Sequence, residues 1–123
     1  MFEISIKDYF SGAHNLRNYH GKCEHLHGHN WLVEVYIRGA QLDRAGMLVD
    51  FKILKQSLHA IFELLDHKYL NQTVFFKKNN PSAENIARFI YEELTKKLKR
   101  KAVKVSRVKV WESDNSCAIY YPD

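Results

Sequence analysis

Seven consecutive residues, Cys23-Glu24-His25-Leu26-His27-Gly28-His29, hold one thiol, one carboxylate and three imidazoles. His27 and His29 are two apart. On an extended backbone such residues point to the same face, with side chains roughly 6–7 Å apart at their bases. Two imidazoles so placed converge on one metal ion. His25 shares their parity. Cys23 lies four residues before His27. A thiol beside a dication has its pKa lowered and serves as base or nucleophile near neutral pH. As a fourth ligand it would instead close the site, and away from a metal it is a small hydrophobe.

The elements around this stretch must bring a third ligand to it. Trp31, Val33, Val35 and Ile37 continue the parity of the two histidines, which predicts a strand over 27–38 with one apolar face. Phe2, Ile4, Ile6 and Phe10 alternate in the same way, and His14 keeps their parity, which predicts a first strand over 2–14. The polar segment 15–22 is a loop, so the two strands form an antiparallel pair. His14 then leaves the first strand where His27 and His29 enter the second. Three imidazoles with an open fourth position are a catalytic zinc arrangement, whereas structural sites are closed and rich in thiolates. His14, His27 and His29 are the expected ligands. His20 is a loop residue, and His59 lies on a helix surface or is a satisfied core residue.

Beyond Gly46, Asp50 caps a helix whose apolar positions are Ile53, Leu54, Leu58, Ile61, Phe62 and Leu65, ending near Asp66-His67. Asp66-His67 sets a carboxylate beside an imidazole, suited to general acid/base chemistry or to capping the helix end. Ser82 caps a second helix carrying Ile86, Ile90, Leu94 and Leu98. A strand follows over 103–112, with a parity shift near Ser106 that predicts a bulge. Residues 113–116 are turn chemistry, and 117–121 form a last strand in which Cys117 is expected to be buried. Glu112 ends its strand at an open turn, where a carboxylate can accept two hydrogen bonds from the amidine-like edge of a heterocycle. The order ββααββ predicts one α+β domain over residues 1–123: an antiparallel sheet with two helices on one face. Its open edges predict association into an oligomer.

The 123 residues, 46% hydrophobic and 27% charged, describe an ordinary globular chain with no run long enough to span a membrane. The N-terminus lacks the layout of a signal peptide, and two cysteines make no disulfide framework. Both features point to a cytoplasmic protein with reduced thiols. A net charge of +5 suits an anionic partner. Much of it comes from Lys96-Lys97-Leu98-Lys99-Arg100-Lys101, a solvated face at a helix end rather than a nucleic-acid site. A zinc-stabilised nucleic-acid-binding module is the competing class. It lacks the interleaved aromatic and basic residues of a stacking surface.

Six segments in order carry a resemblance: Phe10-Ser11-Gly12-Ala13-His14; Cys23 through Asn30-Trp31; Val49-Asp50-Phe51; Leu65-Asp66-His67-Lys68-Tyr69-Leu70-Asn71; Pro81-Ser82-Ala83-Glu84-Asn85; and Trp111-Glu112-Ser113. Together they resemble the 6-pyruvoyl- and 6-carboxy-tetrahydropterin synthase family. The resemblance implies the tunnelling fold, in which three ββααββ subunits close into a trimeric barrel and two trimers stack as a hexamer. It implies zinc on His14, His27 and His29, Cys23 as catalytic base, Asp66 and His67 as relay partners, and Glu112 as anchor of the pterin ring. Ser82 and Glu84 would line a pterin pocket between subunits. The spacing from Cys23 to His27 is similar to that of the bacterial carboxy synthases of the queuosine pathway. These imply conversion of 7,8-dihydroneopterin triphosphate to 6-carboxy-5,6,7,8-tetrahydropterin, acetaldehyde and triphosphate. A pyruvoyl synthase activity is the nearer alternative. Glu24 also satisfies the pattern of a branch that cleaves dihydroneopterin to 6-hydroxymethyl-dihydropterin for folate synthesis, so a dual or sole activity of that kind is a further expectation. An extended loop turns adjacent side chains apart, so only one of Cys23 and Glu24 can face the ligands.

Overall fold

In the computed structural model, which describes residues 1–123, alternation turns directly into a half-buried sheet. Strand β1 runs Phe2–His14 and β2 runs Phe2's partner Gly39 back to His27, as His27–Gly39. They pair antiparallel without interruption, from Phe2 opposite Gly39 to His14 opposite His27. Ile6, Phe10 and His14 on β1, and Trp31, Val33, Val35 and Ile37 on β2, are buried on one face. Helices α1 (Phe51–Phe62) and α2 (Ala83–Lys97) cover that face. Leu54, Leu58, Ile61 and Phe62 of α1 join Ile86, Ala87, Ile90 and Leu94 of α2 in one core with the strands. Both expected caps are present: Asp50 accepts from the amide of Lys52, and the Ser82 hydroxyl accepts from that of Asn85.

Three details depart from the sequence expectation. Helix α1 stops at Phe62, not near Asp66-His67, and Ile53 faces outward at 38% exposure. Leu65 is fully buried, but from the turn after the helix. The sheet has five strands rather than four and is not wholly antiparallel, because Lys68–Tyr69 forms a short β3 parallel to β1 at Gly12 and Ala13. The cause is local. His67 adopts a left-handed backbone with φ of 57°, its amide donates to the Ser11 carbonyl, and the Asp66 carboxylate accepts from the Ser11 amide at 2.8 Å. These ties lay the following residues along the outer edge of β1. Third, Cys117 is exposed rather than buried.

Strands β4 (Lys104–Ser113) and β5 (Ser116–Tyr120) complete the sheet in the order β3-β1-β2-β4-β5. The predicted bulge is at Ser106: Tyr36 faces Arg107 while Ile37 faces Val105. The extra residue lets both Val105 and Val108 reach the core. On β5, Ala118 and Tyr120 pack toward the core, which turns Cys117 and Ile119 to the other side of an edge strand. The face away from the helices is half-buried and polar. There Arg107 lies 4.0 Å from the centre of the Tyr36 ring, and the Trp111 indole donates to Glu34 at 2.7 Å. No helix is long and apolar enough to cross a membrane.

Candidate metal centre

The unbroken register of β1 and β2 sets His14 directly opposite His27, with His29 opposite Gly12 on the same edge of the hairpin. Their ring centroids lie 4.6 Å (His14–His27), 4.7 Å (His27–His29) and 5.3 Å (His14–His29) apart. Trp31, two residues past His29, packs edge-on to His14 at 4.9 Å and to His29 at 5.0 Å. It is fully buried, and its indole N–H is spent on the Gly12 carbonyl at 3.1 Å. The imidazoles therefore stand on an apolar floor that offers no competing donor.

Backbone carbonyls set the tautomers. The Nδ1–H of His14 donates to the Pro81 carbonyl at 2.7 Å, and that of His27 donates to the His25 carbonyl at 2.8 Å. Each ring then presents a bare Nε2 lone pair, and the two Nε2 atoms face each other at 3.0 Å. A proton on either Nε2 makes this contact a hydrogen bond, and with both rings neutral the facing lone pairs repel unless a cation takes both. Two nitrogens bound to one tetrahedral zinc lie roughly 3.3–3.4 Å apart, by a bond length of about 2.0–2.1 Å, so the spacing suits a shared metal. His29 adds a third donor: its Nε2 is buried without a hydrogen-bond partner. An orphaned buried nitrogen is costly unless it has a ligand role. Burial above all lowers the His29 pKa, with the Glu112 charge opposing and His27 and His14 adding to the fall. Burial thus favours the neutral imidazole that a metal requires. Ring nitrogens held by second partners in this way are the usual support of metal-ligating histidines.

The Glu112 carboxylate lies 3.3 Å from the His29 Nε2 and is partly exposed. Ligand atoms of His14, His27, His29 and Glu112 all fall within 4.8 Å of one another. Sequence reasoning placed Glu112 at a heterocycle and did not foresee this proximity. The bulged β4 register carries it there, and a single sequence shows no register. The Pro81 carbonyl was equally invisible, since a backbone oxygen leaves no mark in residue types.

Cys23 stands outside this group, exposed in the loop before β2. Glu24 turns the other way. Its carboxylate accepts from the Leu16 amide at 3.1 Å, its own amide donates to the Leu16 carbonyl, and it reaches within 3.9 Å of His27 Nδ1. The adjacent pair does diverge, and Glu24 rather than Cys23 faces the imidazoles. It meets His27 on the Nδ1 side, behind the ring, and not on the Nε2 side where the donors converge. His25 is exposed, and only its carbonyl takes part. His20 sits in a turn with positive φ. His59 is exposed on α1 and contacts Asp8 at 2.5 Å.

A hollow of about 500 Å³ opens beside the cluster, lined among others by Ser11, His29, Asn30, His67 and Lys68. It brings His67, 81% exposed, alongside a member of the metal group. The His67 Nδ1 lies 2.9 Å from the Asp66 carboxylate. The Ser11 amide, more than the His67 ring, holds the Asp66 carboxyl below the usual range, against the opposing effect of burial. Asp66 is thus a fixed anion that orients His67, not itself a proton carrier near neutral pH. Ser82 spends its hydroxyl on the α2 cap, next to the Pro81 carbonyl that holds His14. Glu84 is exposed in the first turn of α2. The structure does not bring either carboxyl or hydroxyl into the imidazole group.

Comparison with known proteins is consistent across the chain. The family model for 6-pyruvoyl tetrahydropterin synthase matches residues 3–123. The 6-carboxy-5,6,7,8-tetrahydropterin synthase of Rickettsia bellii is 31% identical, with 94% of this chain aligned to 96% of that protein. The enzyme of the same name from Bacillus subtilis is 31% identical over 98% of this chain and 86% of its own length. The 6-pyruvoyl tetrahydrobiopterin synthase of Drosophila melanogaster is 36% identical over 89% of this chain and 67% of its own. In fold, the chain is similar to 6-pyruvoyl tetrahydropterin synthase of Caenorhabditis elegans, with a TM-score of 0.85, 24% identity, and 99% and 96% of the two chains covered.

Proposed function

We propose a function from one premise: the chain belongs to the 6-pyruvoyl tetrahydropterin synthase family, and is an enzyme of that family. The reaction we assign is conversion of 7,8-dihydroneopterin triphosphate and water to 6-carboxy-5,6,7,8-tetrahydropterin, acetaldehyde and triphosphate, in queuosine and related 7-deazapurine synthesis. The names of the Rickettsia and Bacillus relatives support the carboxy product over the pyruvoyl one. The observation that carries the reading is the convergence of three imidazole Nε2 atoms beside a hollow that also holds His67. Membership of an enzyme family displaces the alternative of a zinc-stabilised nucleic-acid-binding module.

His14, His27 and His29 would hold zinc. When bound, the metal lowers the pKa of the oxygens it coordinates and polarises the substrate side chain. The remaining steps belong to the chain. The Cys23 thiolate removes a proton from the substrate side chain, the role for which a thiol near a dication is suited. An exposed thiol outside the ligand group fits a pocket that lies between subunits, where a neighbour completes it. His67, oriented by Asp66, relays protons to and from the same side chain, its open position in the hollow giving it access. Glu112, partly exposed 3.3 Å from the His29 Nε2, would accept hydrogen bonds from the amidine edge of the pterin. Ser82 and Glu84, at the start of α2, would line the pterin pocket only where it is completed between subunits.

The test is product analysis. Metal-loaded protein given dihydroneopterin triphosphate should yield the carboxy pterin and acetaldehyde in equal amounts. A pyruvoyl product, or none, would overturn the assignment. We further propose a trimeric barrel, stacked as a hexamer in the cytoplasm, because β5 and most of β1 leave their outer edges unpaired. Sedimentation should show three or six subunits, and a stable, active monomer would refute it.

A second reading concerns Glu24, whose carboxylate is not turned to solvent. As a base on dihydroneopterin it would support release of 6-hydroxymethyl-dihydropterin. Its position 3.9 Å behind His27 and its bond to the Leu16 amide favour a different role, a negative charge behind the ring and a tie that fixes the loop before β2.

A further inference from the structure

A larger cavity, of about 670 Å³, lies at the other end of the sheet. Its position is set by the strand ends. Arg38 and Lys104 are directly opposite across β2 and β4, and Glu3 is opposite Arg38 across β1 and β2. Arg38 lies eleven positions along β2 from His27, a span of about 36 Å at strand rise. The cavity therefore does not overlap the metal centre within one subunit.

Its lining has an unusual balance. Arg38, Lys101 and Lys104 contribute three cations, Met1, Val103 and Tyr121 contribute apolar surface, and no carboxylate side chain lines it. None of the three cations has a carboxylate within ion-pair distance. The nearest cross-strand acid, Glu3, is already committed: its carboxylate accepts from the Ser106 hydroxyl at 2.7 Å and pairs with Arg107 at 3.5 Å. Like charges directly opposite on adjacent strands are destabilising. Arg38 facing Lys104 is such a pair, with the Lys96–Lys101 run close by in sequence to deepen the positive field. A bound polyanion would reverse the sign of that interaction. The volume is that of a small-molecule site, and a cationic rim over an apolar floor with an aromatic ring matches a phosphate chain attached to a flat heterocycle.

We propose that this groove binds a nucleoside triphosphate, its phosphates held by Arg38, Lys101 and Lys104 and its base against Val103 and Tyr121. The site is separate from the metal centre and acts on binding, not chemistry. Nothing in the proposal depends on the assigned pterin reaction.

Calorimetric titration of the assembled protein with ATP, GTP and inorganic triphosphate tests it, alongside the double variant Arg38→Gln/Lys104→Gln. Both nucleotides should bind saturably, more tightly than inorganic triphosphate, and more weakly as salt rises. The double variant should lose roughly tenfold in affinity per residue changed, as charge-assisted contacts to phosphate imply. Its metal content and pterin turnover should be unchanged. Without nucleotide, the variant should melt no lower than the parent, because a repulsive pair has been removed. Absence of saturable binding would overturn the proposal, as would binding that survives the double substitution. Equal affinity for inorganic triphosphate would overturn the nucleoside assignment. Loss of turnover along with binding would show that the groove belongs to the catalytic machinery, and would overturn its separateness.

Discussion

Alanine at His27 or His29 is expected to reduce bound zinc from about one ion per subunit to well below that, and to abolish turnover. Each ring supplies one of three converging nitrogens, and two donors do not make a stable site. Loss of a mere supporting partner costs 10–100-fold in metal affinity, so loss of a ligand should cost at least about a hundredfold. The fold should survive. Its core joins both helices to the sheet through apolar residues alone, and His14 is the only imidazole among the buried residues. Chelated wild-type protein and both variants should therefore keep a cooperative unfolding transition, unlike a structural site, which unfolds without its metal. Metal analysis after gel filtration, with circular dichroism on the same samples, makes the measurement. Full occupancy in both variants would sink the ligand assignment. A chelated protein that unfolds would sink the catalytic one.

The second large effect is expected at Cys23. If its thiolate is the base, Cys23→Ala should lower formation of the carboxy pterin by about 10²–10⁴-fold, the range that positioned proton transfer contributes. Metal content should be unaltered, because Cys23 lies outside the ligand group. Glu24→Gln separates the two readings of the neighbouring carboxylate. As a support for His27 it should weaken metal binding while leaving the product the same. As a base in its own right it should leave metal bound and remove any hydroxymethyl pterin formed from dihydroneopterin. Wild-type protein that forms no such product from dihydroneopterin ends the dual reading. A Cys23→Ala protein with undiminished carboxy product ends the assignment of the base.

The three histidines were legible in the sequence because strand periodicity and a short loop are local properties. Parity put His27 and His29 on one face, and the hairpin returned them to His14. Register then had one solution, since a slip of one residue would have turned Ile6, Phe10 and the valines of β2 to the wrong side. The helices, their caps and the bulge at Ser106 were legible for the same reason: each leaves a pattern within a few residues. Two residues of β3 span too little chain to show a period, and the ties that place it run from Asp66 and His67 to Ser11, fifty-five residues away in the case of Asp66. Cys117 escaped because alternation shows that a residue faces a side, not whether that side of an edge strand is covered. The chemistry divides in the same way. Residue types and spacing brought three imidazoles within reach of one metal ion. Only the tertiary structure decided that carbonyls of Pro81 and His25 hold the Nδ1 protons of two rings and turn their Nε2 atoms toward one point, that Glu112 closes on His29, and that Glu24 turns inward while Cys23 turns out. Hydrogen-bond partners distant in sequence set a tautomer and a rotamer, and no local pattern encodes them.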